Sequence, residues 1–326
     1  MTALSARAVS AARALGRAEV ERRGLAHPNL SPEWGLLARR DQLPPEGPWM
    51  RWLILSGRGW GKTRTGVEWV ISKARSHPGC RIALVGRTAG DVYKTMLDGE
   101  SGLLKVSPPD FEPVYNPSKC RVTWPNGAVA ETFSADEPRQ LRGPQFHAAW
   151  FDELAACDDR DAWDMLMMGL RLELPDGGQP QVVITTTPRP VSVVRQLLAD
   201  PACVVTRGRT YDNRANLATS FFESIIRQYE GTRLGRQEID GEVLEDVEGA
   251  LWMRSWFDRW RVPAPPPLVR VVVGVDPATT SGEGADSTGI IVAGLDEAGR
   301  GYVLADLTMR DTPDKWAQAV VSAYRQ

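Results

Sequence analysis

Long apolar runs, closely spaced cysteines and an excess of one charge are all missing from this 326-residue chain. No stretch approaches the roughly 18 apolar residues of a membrane span, and the N-terminus has no apolar signal core. Neither a secreted nor a membrane-inserted chain is expected. Cysteine is scarce: four residues, at 80, 120, 157 and 203, form no CxxC pair and no Cys/His metal spacing. That excludes a disulfide scaffold and fits a reducing compartment. Lysine is also scarce, since six of the 39 basic residues are lysine and the rest are arginine. A GC-rich coding sequence accounts for the bias, with a phosphate-contacting surface as a second explanation. The net charge of −2 excludes a globally basic nucleic-acid binder and leaves room for a local basic patch. No internal repeat is present. With 42% hydrophobic and 25% charged residues, the composition is that of a globular protein long enough for two domains.

Apolar periodicity predicts an amphipathic helix over residues 1–23, a plain N-terminal helix rather than a targeting peptide or docking arm. Prolines 28, 32, 44, 45 and 48 predict a loop-rich stretch up to Trp49. Short apolar runs at 52–55, 81–85, 148–151 and 181–184 read as buried strands. Helices are expected over 62–74 and 91–96, and a hairpin over 120–133 with Asn126-Gly127 at its turn. Strands alternating with helices define an α/β fold, a mostly parallel sheet of the P-loop (RecA/ASCE-like) kind with flanking helices. Residues 217–248 are charged and read as helical. The run Pro263-Ala264-Pro265-Pro266-Pro267 marks a stiff linker and a domain boundary. Beyond it come strands at 271–275, 289–293 and 302–305 and a helix from Pro313. The expected domains are an N-terminal helical arm (1–33), an α/β core (34–205), a helical subdomain with the linker (206–267) and a last domain (268–326).

Ser56-Gly57-Arg58-Gly59-Trp60-Gly61-Lys62-Thr63 follows a strand and opens a helix. Glycines at 57, 59 and 61 let the backbone wrap phosphates with its N–H groups turned inward, and the helix N-terminus adds positive partial charge. Lys62 is expected on the β- and γ-phosphates and the Thr63 hydroxyl on Mg²⁺. Ser56 stands where the usual pattern has its first glycine; serine is small enough for the loop to survive. Asp152-Glu153 closes an apolar run, which places Asp152 near the Mg²⁺ and lets Glu153 polarise the attacking water. Thr185, Thr186 and Thr187 end the next strand. They are either a β-branched strand end before Pro188 or hydroxyls that sense the γ-phosphate. Arginines are needed where charge spreads over the γ-oxygens. Arg58 can act in cis. Arg142, in Leu141-Arg142-Gly143, has three open roles: in cis, on a neighbouring subunit, or on DNA.

In combination these features resemble the large terminase subunit of tailed bacteriophages and gene transfer agents, from about Trp34 to the last residue. The resemblance runs through residues 38–45, the phosphate loop, and 98–104. It continues through Trp124-Pro125-Asn126-Gly127, Leu141-Arg142-Gly143-Pro144-Gln145, Trp150-Phe151-Asp152-Glu153, Thr185-Thr186-Thr187-Pro188-Arg189-Pro190 and residues 229–238. It implies an ATP-driven motor that moves double-stranded DNA into a procapsid, and an endonuclease that cuts concatemeric DNA. Carried onto this sequence, Gln42, with Arg40 nearby, recognises adenine. Lys62 and Thr63 bind ATP and Mg²⁺, Asp152 holds Mg²⁺, Glu153 is the catalytic carboxylate, and Thr186 couples hydrolysis to movement. Implied partners are the portal protein, the small terminase subunit and further copies in a ring. The isolated chain is expected as a monomer, in the cytoplasm of a bacterial host.

Val271 to Ala278 puts Asp276 at the end of a buried strand, and the strands that follow resemble an RNase H-like nuclease domain. The resemblance makes Asp276 a ligand for Mg²⁺ or Mn²⁺, with Asp286 and Asp306 as weaker candidates. A two-metal cut needs further carboxylates, which the family takes from segments beyond the final helix. The nuclease domain is therefore expected to be incomplete here and inefficient on its own. Two other readings stay open: a superfamily 2 helicase-like translocase, and a non-catalytic remnant that binds DNA or portal.

Overall fold

The computed structural model describes residues 6–27, 30–157, 160–244, 254–278 and 287–325. The chain divides into two compact units, Met1–Glu245 and Asp246–Gln326. Among the described residues, no helix is long and apolar enough to cross a membrane.

The first unit opens with two helices rather than the single one expected: α1 (Ala6–Leu15) and α2 (Arg17–Ala26). Gly16 separates them at φ +77, a conformation that ends a helix at little cost only for glycine. A third, α3 (Pro32–Leu37), is capped by Ser31, whose hydroxyl accepts the Trp34 N–H at 3.1 Å.

Eight strands form the sheet: β1 (Arg51–Ser56), β2 (Arg81–Gly86), β3 (Val114–Asn116), β4 (Arg121–Thr123), β5 (Val129–Ser134), β6 (Ala148–Asp152), β7 (Gln181–Thr186) and β8 (Cys203–Gly208). Their order is β3-β4-β5-β2-β6-β7-β1-β8. β5, β2, β6, β7, β1 and β8 run parallel, and β3 and β4 add an antiparallel edge. The expected strands and the hairpin are all present. β3 and β8 were not expected, because neither carries a full apolar run. The helix expected at 91–96 is a π-helical turn, Val92–Leu97. Residues 217–248, expected to be helical, break into short pieces, Phe221–Ile226, Arg227–Tyr229 and Arg233–Glu238, among the described residues. Gly231 and Gly241, at φ +75 and +72, fall at breaks between and after these pieces.

Period-two alternation sends successive side chains to opposite layers. Trp52, Ile54 and Trp150 pack into one apolar layer with the helix α4 (Lys62–Ser76). Leu53, Leu55, Ala149 and Phe151 pack into the other. α4 lies tight against β6: a Cβ on Gly66 would fall 2.3 Å from the Trp150 ring. That close approach fixes the height at which the phosphate loop meets the sheet.

The second unit holds an antiparallel meander, β9 (Leu268–Asp276), β10 (Gly289–Asp296) and β11 (Gly301–Asp306), in the order β11-β10-β9, with a helix at Pro313–Arg325. The order of elements is the one expected. The burial is not: β9 was expected to be a buried strand, yet Val269, Val271, Val272 and Val275 are exposed. It pairs with β10 alone among the described residues, and the buried side chains of this sheet belong to β10.

Candidate functional site

A parallel sheet places all its strand ends on one edge, and ligands gather there. β7 lies between β1 and β6, with Thr185 beside both Ile54 and Asp152. The loops after β1, β6 and β7 therefore meet. They form one wall of a cavity of about 1110 Å³ that also reaches the N-terminal segment.

Gly59 and Gly61 adopt φ +72 and +106, which turns the loop around an anion-sized space ahead of α4. Gly57 N–H is used by Gly208 O at 3.0 Å and Arg58 N–H by Glu238 O at 2.7 Å. No hydrogen bond among the described residues engages the N–H groups of Gly59 and Gly61, which leaves them for a ligand. Lys62 Nζ donates to Ser56 O at 3.0 Å and Thr187 Oγ1 at 3.2 Å, and lies 3.7 Å from Glu153 Oε1. Thr63 lines the cavity.

Asp152 is buried, and its Oδ1 accepts the Thr185 hydroxyl at 2.6 Å. Burial first, then the neighbouring Glu153 charge, pushes its carboxyl up to about 7; Thr185 and Lys62 pull the other way. Lys62 offsets only part of that penalty, and a divalent cation shared with Thr63 would offset more. Glu153 follows at φ +53, a left-handed conformation that is costly for a side-chain-bearing residue. Its own N–H donates to Thr185 O at 2.6 Å. Its carboxylate faces the cavity and accepts Thr187 N–H at 3.1 Å and Thr187 Oγ1 at 3.3 Å.

The threonine run divides its work. Thr185 Oγ1 accepts Trp150 Nε1–H at 2.7 Å and donates its own hydrogen bond to Asp152. Thr186 accepts Ala155 N–H at 3.0 Å, which fixes the turn after Glu153. Thr187 alone of the three lines the cavity and bridges Lys62 to Glu153.

Gln42 is buried in the same wall; its Nε2 donates to Thr65 Oγ1 at 3.2 Å. Arg40 is exposed and stands outside the wall. Arg39 stands within it, over the Trp60 ring at 4.9 Å. Trp60 itself points into the core, so only its backbone belongs to the loop. Arg58 lines the cavity and is held by Glu238 in a 2.7 Å ion pair. Arg142 is exposed after the turn Pro138–Leu141 and is not in the cavity wall. Asp276 belongs to the second unit, at the end of β9. It sits at the same sheet end as Asp306, since Gly289 pairs with Asp276 and Ile291 with Asp306. Asp286 lies outside the described residues.

Sequence reasoning missed Arg39, Asn213, Glu238, Arg87 and Arg189 around the cavity. Arg39 and Arg40 are equivalent on paper, and only the 3-10 turn at Arg40–Gln42 sorts them. Asn213 carries no local signal, and Glu238 closes the stretch 229–238 that carries the resemblance without a role being read for it; both come near by tertiary folding.

A strand, a glycine loop, a helix and an acidic pair two strands away define a P-loop nucleotide hydrolase of the additional-strand class. The family profile described as "Terminase large subunit, T4likevirus-type, N-terminal" matches residues 53–259, more than half the chain. The chain therefore belongs to the large terminase subunits, the ATP-driven motors of DNA packaging. Solved structures agree on the fold. The large terminase of a thermophilic bacteriophage, in complex with ADP, aligns at TM-score 0.50 and 16% identity, covering 85% of this chain and 69% of that one. A second crystal form of that protein gives 0.52 and 15%, covering 90% and 72%. The large terminase ATPase domain of Thermus phage P74-26 gives 0.50 and 16%, covering 64% and 95%. No curated protein matches the chain significantly.

Proposed function

We propose that this chain hydrolyses ATP at the β1–β6–β7 edge and uses the energy to move double-stranded DNA into a procapsid. The observation that carries the reading is the convergence of Lys62, Glu153 and Thr187 on one cavity beside a phosphate-shaped loop. Lys62 and the free loop amides neutralise the phosphates. Gln42, beside the loop at Gly61, reads the base. Thr63 and Asp152 would hold Mg²⁺, which would supply positive charge against the phosphates. Glu153 orients the attacking water, and Arg58 faces the same space. Thr187 senses which of its two partners, Lys62 or Glu153, is engaged. Thr186 ties that signal to the turn 153–156.

The thermophilic-phage terminase has been solved in complex with ADP and, separately, with ATP-γ-S, which supports a nucleotide in this cavity. DNA contact falls mainly on phosphates and so weakens with salt. The motor works as a ring on the portal protein with the small terminase subunit, in the cytoplasm of the infected bacterium; Arg142 is available to a neighbouring copy or to DNA. Asp276, with Asp306 at the same sheet end, is a ligand for Mg²⁺ or Mn²⁺ in an RNase H-like endonuclease unit. The antiparallel meander of the second unit is unlike a second RecA-like domain, which disfavours a helicase.

The test is steady-state ATP hydrolysis by the full chain, with and without linear duplex DNA. DNA-stimulated turnover supports the reading. Turnover absent at concentrations that assemble rings contradicts it.

A further inference from the structure

A phosphate loop can aim its N–H groups inward only if the carbonyls between them are turned away. Three of those carbonyls are held from outside the loop, the first of them Arg58 O, which accepts the Thr210 hydroxyl at 2.7 Å. Asn213 Nδ2 donates to Gly59 O at 2.6 Å. Arg39 donates through one terminal nitrogen to Trp60 O at 2.5 Å. The last two holders are joined, since the other terminal nitrogen of Arg39 donates to Asn213 Oδ1 at 2.9 Å. The same oxygen accepts Asn216 Nδ2 at 2.7 Å, and Asn216 accepts in turn from Arg7 of α1.

The place where they act is the place where the loop is least determined by its own sequence. Gly59 and Gly61 flank Trp60 at φ +72 and +106, and glycine has ready access to many other conformations. Within the turn the Trp60 N–H donates to Gly57 O over a long 3.4 Å, a weak local hold on the anion-binding shape. The arrangement also has a cost. Arg39 Nε is buried without a partner, and burial pulls the guanidinium below its ordinary pKa. Stacking on Trp60 recovers part of that cost and keeps the fork flat against the loop.

We propose that Arg39 and Asn213 are positioning residues that preorganise the phosphate loop. They hold the Gly59 and Trp60 carbonyls outward, so that the N–H groups of Gly59 and Gly61 face the triphosphate before it arrives. The proposal rests on the ATP-binding reading above. It assigns Arg39 to the phosphates' side of recognition, although it shares a cavity wall with Gln42.

Inorganic tripolyphosphate, adenosine, ATP and GTP are titrated in competition with a fluorescent ATP analogue. The proteins are the full-length chain and its Arg39→Lys and Asn213→Ala variants, with thermal unfolding recorded for each. Arg39→Lys keeps the charge and loses the fork; Asn213→Ala removes one amide and serves if the first variant fails to fold. Both variants are expected to lose roughly 10- to 100-fold in affinity for tripolyphosphate and ATP, the size set by ordering one or two residues on binding. Adenosine affinity and the ATP/GTP preference should stay within about twofold. Weakened adenosine with unchanged tripolyphosphate would make Arg39 a base contact and overturn the proposal. Folded variants that bind tripolyphosphate like the parent would overturn it as well. A parent chain that binds neither tripolyphosphate nor ATP would instead overturn the ATP-binding reading on which it rests.

Discussion

Two aspartates close apolar strands in this chain, and their surroundings are opposite. Asp152 ends β6, which is paired on both sides and buried along its length. Its carboxyl is fixed by Thr185 and pushed up to about 7. Asp276 ends β9, which is paired on one side among the described residues and exposed along most of its length. The local sequences are of one kind, Ala-Ala-Trp-Phe-Asp and Val-Val-Gly-Val-Asp. What differs is the cover. Trp150 enters one layer and Phe151 the other, so Asp152 cannot move without moving the core. A carboxyl becomes a defined chemical group when its strand is packed on both faces.

The comparison breaks most visibly in activity. Lys62→Ala removes the cation that contacts Ser56 O, Thr187 and Glu153. It should lower ATP turnover by roughly a thousandfold, while Asp276→Ala leaves turnover unchanged; steady-state phosphate release measures both. Equal losses would show that the two strand ends work as one site.

Stability sharpens it next. Leu53→Ala empties a fully buried place in β1 and should cost about 2–5 kcal/mol. Val271→Ala, half-exposed in β9, should cost under about 1 kcal/mol. Urea unfolding of each variant separates them. A smaller contrast comes from glycine. Gly66→Ala drives a Cβ to 2.3 Å from Trp150 and should cost about 1–3 kcal/mol. Gly274→Ala meets its nearest atom at 3.8 Å and should stay within about 0.5 kcal/mol of the parent. Thermal unfolding reads the difference.

The smallest effect is chemical and lies within the first unit. Burial pushes the Cys80 and Cys203 thiols up to about 12 and about 11. Raised values keep the neutral thiol below those pH values, so at pH 8 a thiol reagent should label neither in the folded chain. Exposed Cys120 should label at once. Labelling of Cys80 at the rate of Cys120 would mean that the layer around β2 opens readily.

The parallel sheet was legible because its strands are continuous apolar runs, and the phosphate loop because its chemistry is local. Lys62, Thr63, Asp152 and Glu153 sit where the spacing put them. β3 and β8 were invisible because each has its side chains half in solvent. The burial of β9 was misjudged because a valine run reports apolarity and not what covers it. The threonine run was read as one unit with Thr186 at its centre. Its three separate partners, Asp152, Ala155 N–H and the Lys62–Glu153 pair, depend on side-chain directions that no spacing carries. Arg39 against Arg40 is the same lesson at a turn.

The central claim is that Glu153 performs chemistry rather than holding the site together. Glu153→Gln keeps the shape and one of the two oxygens that accept from Thr187 while removing the charge. Nucleotide affinity and single-turnover hydrolysis, measured side by side on the parent and this variant, test it most directly. The account predicts ATP bound within a few-fold of the parent and hydrolysis slowed by roughly a hundredfold or more. Hydrolysis at the parent's rate, or affinity and hydrolysis lost together, would contradict it.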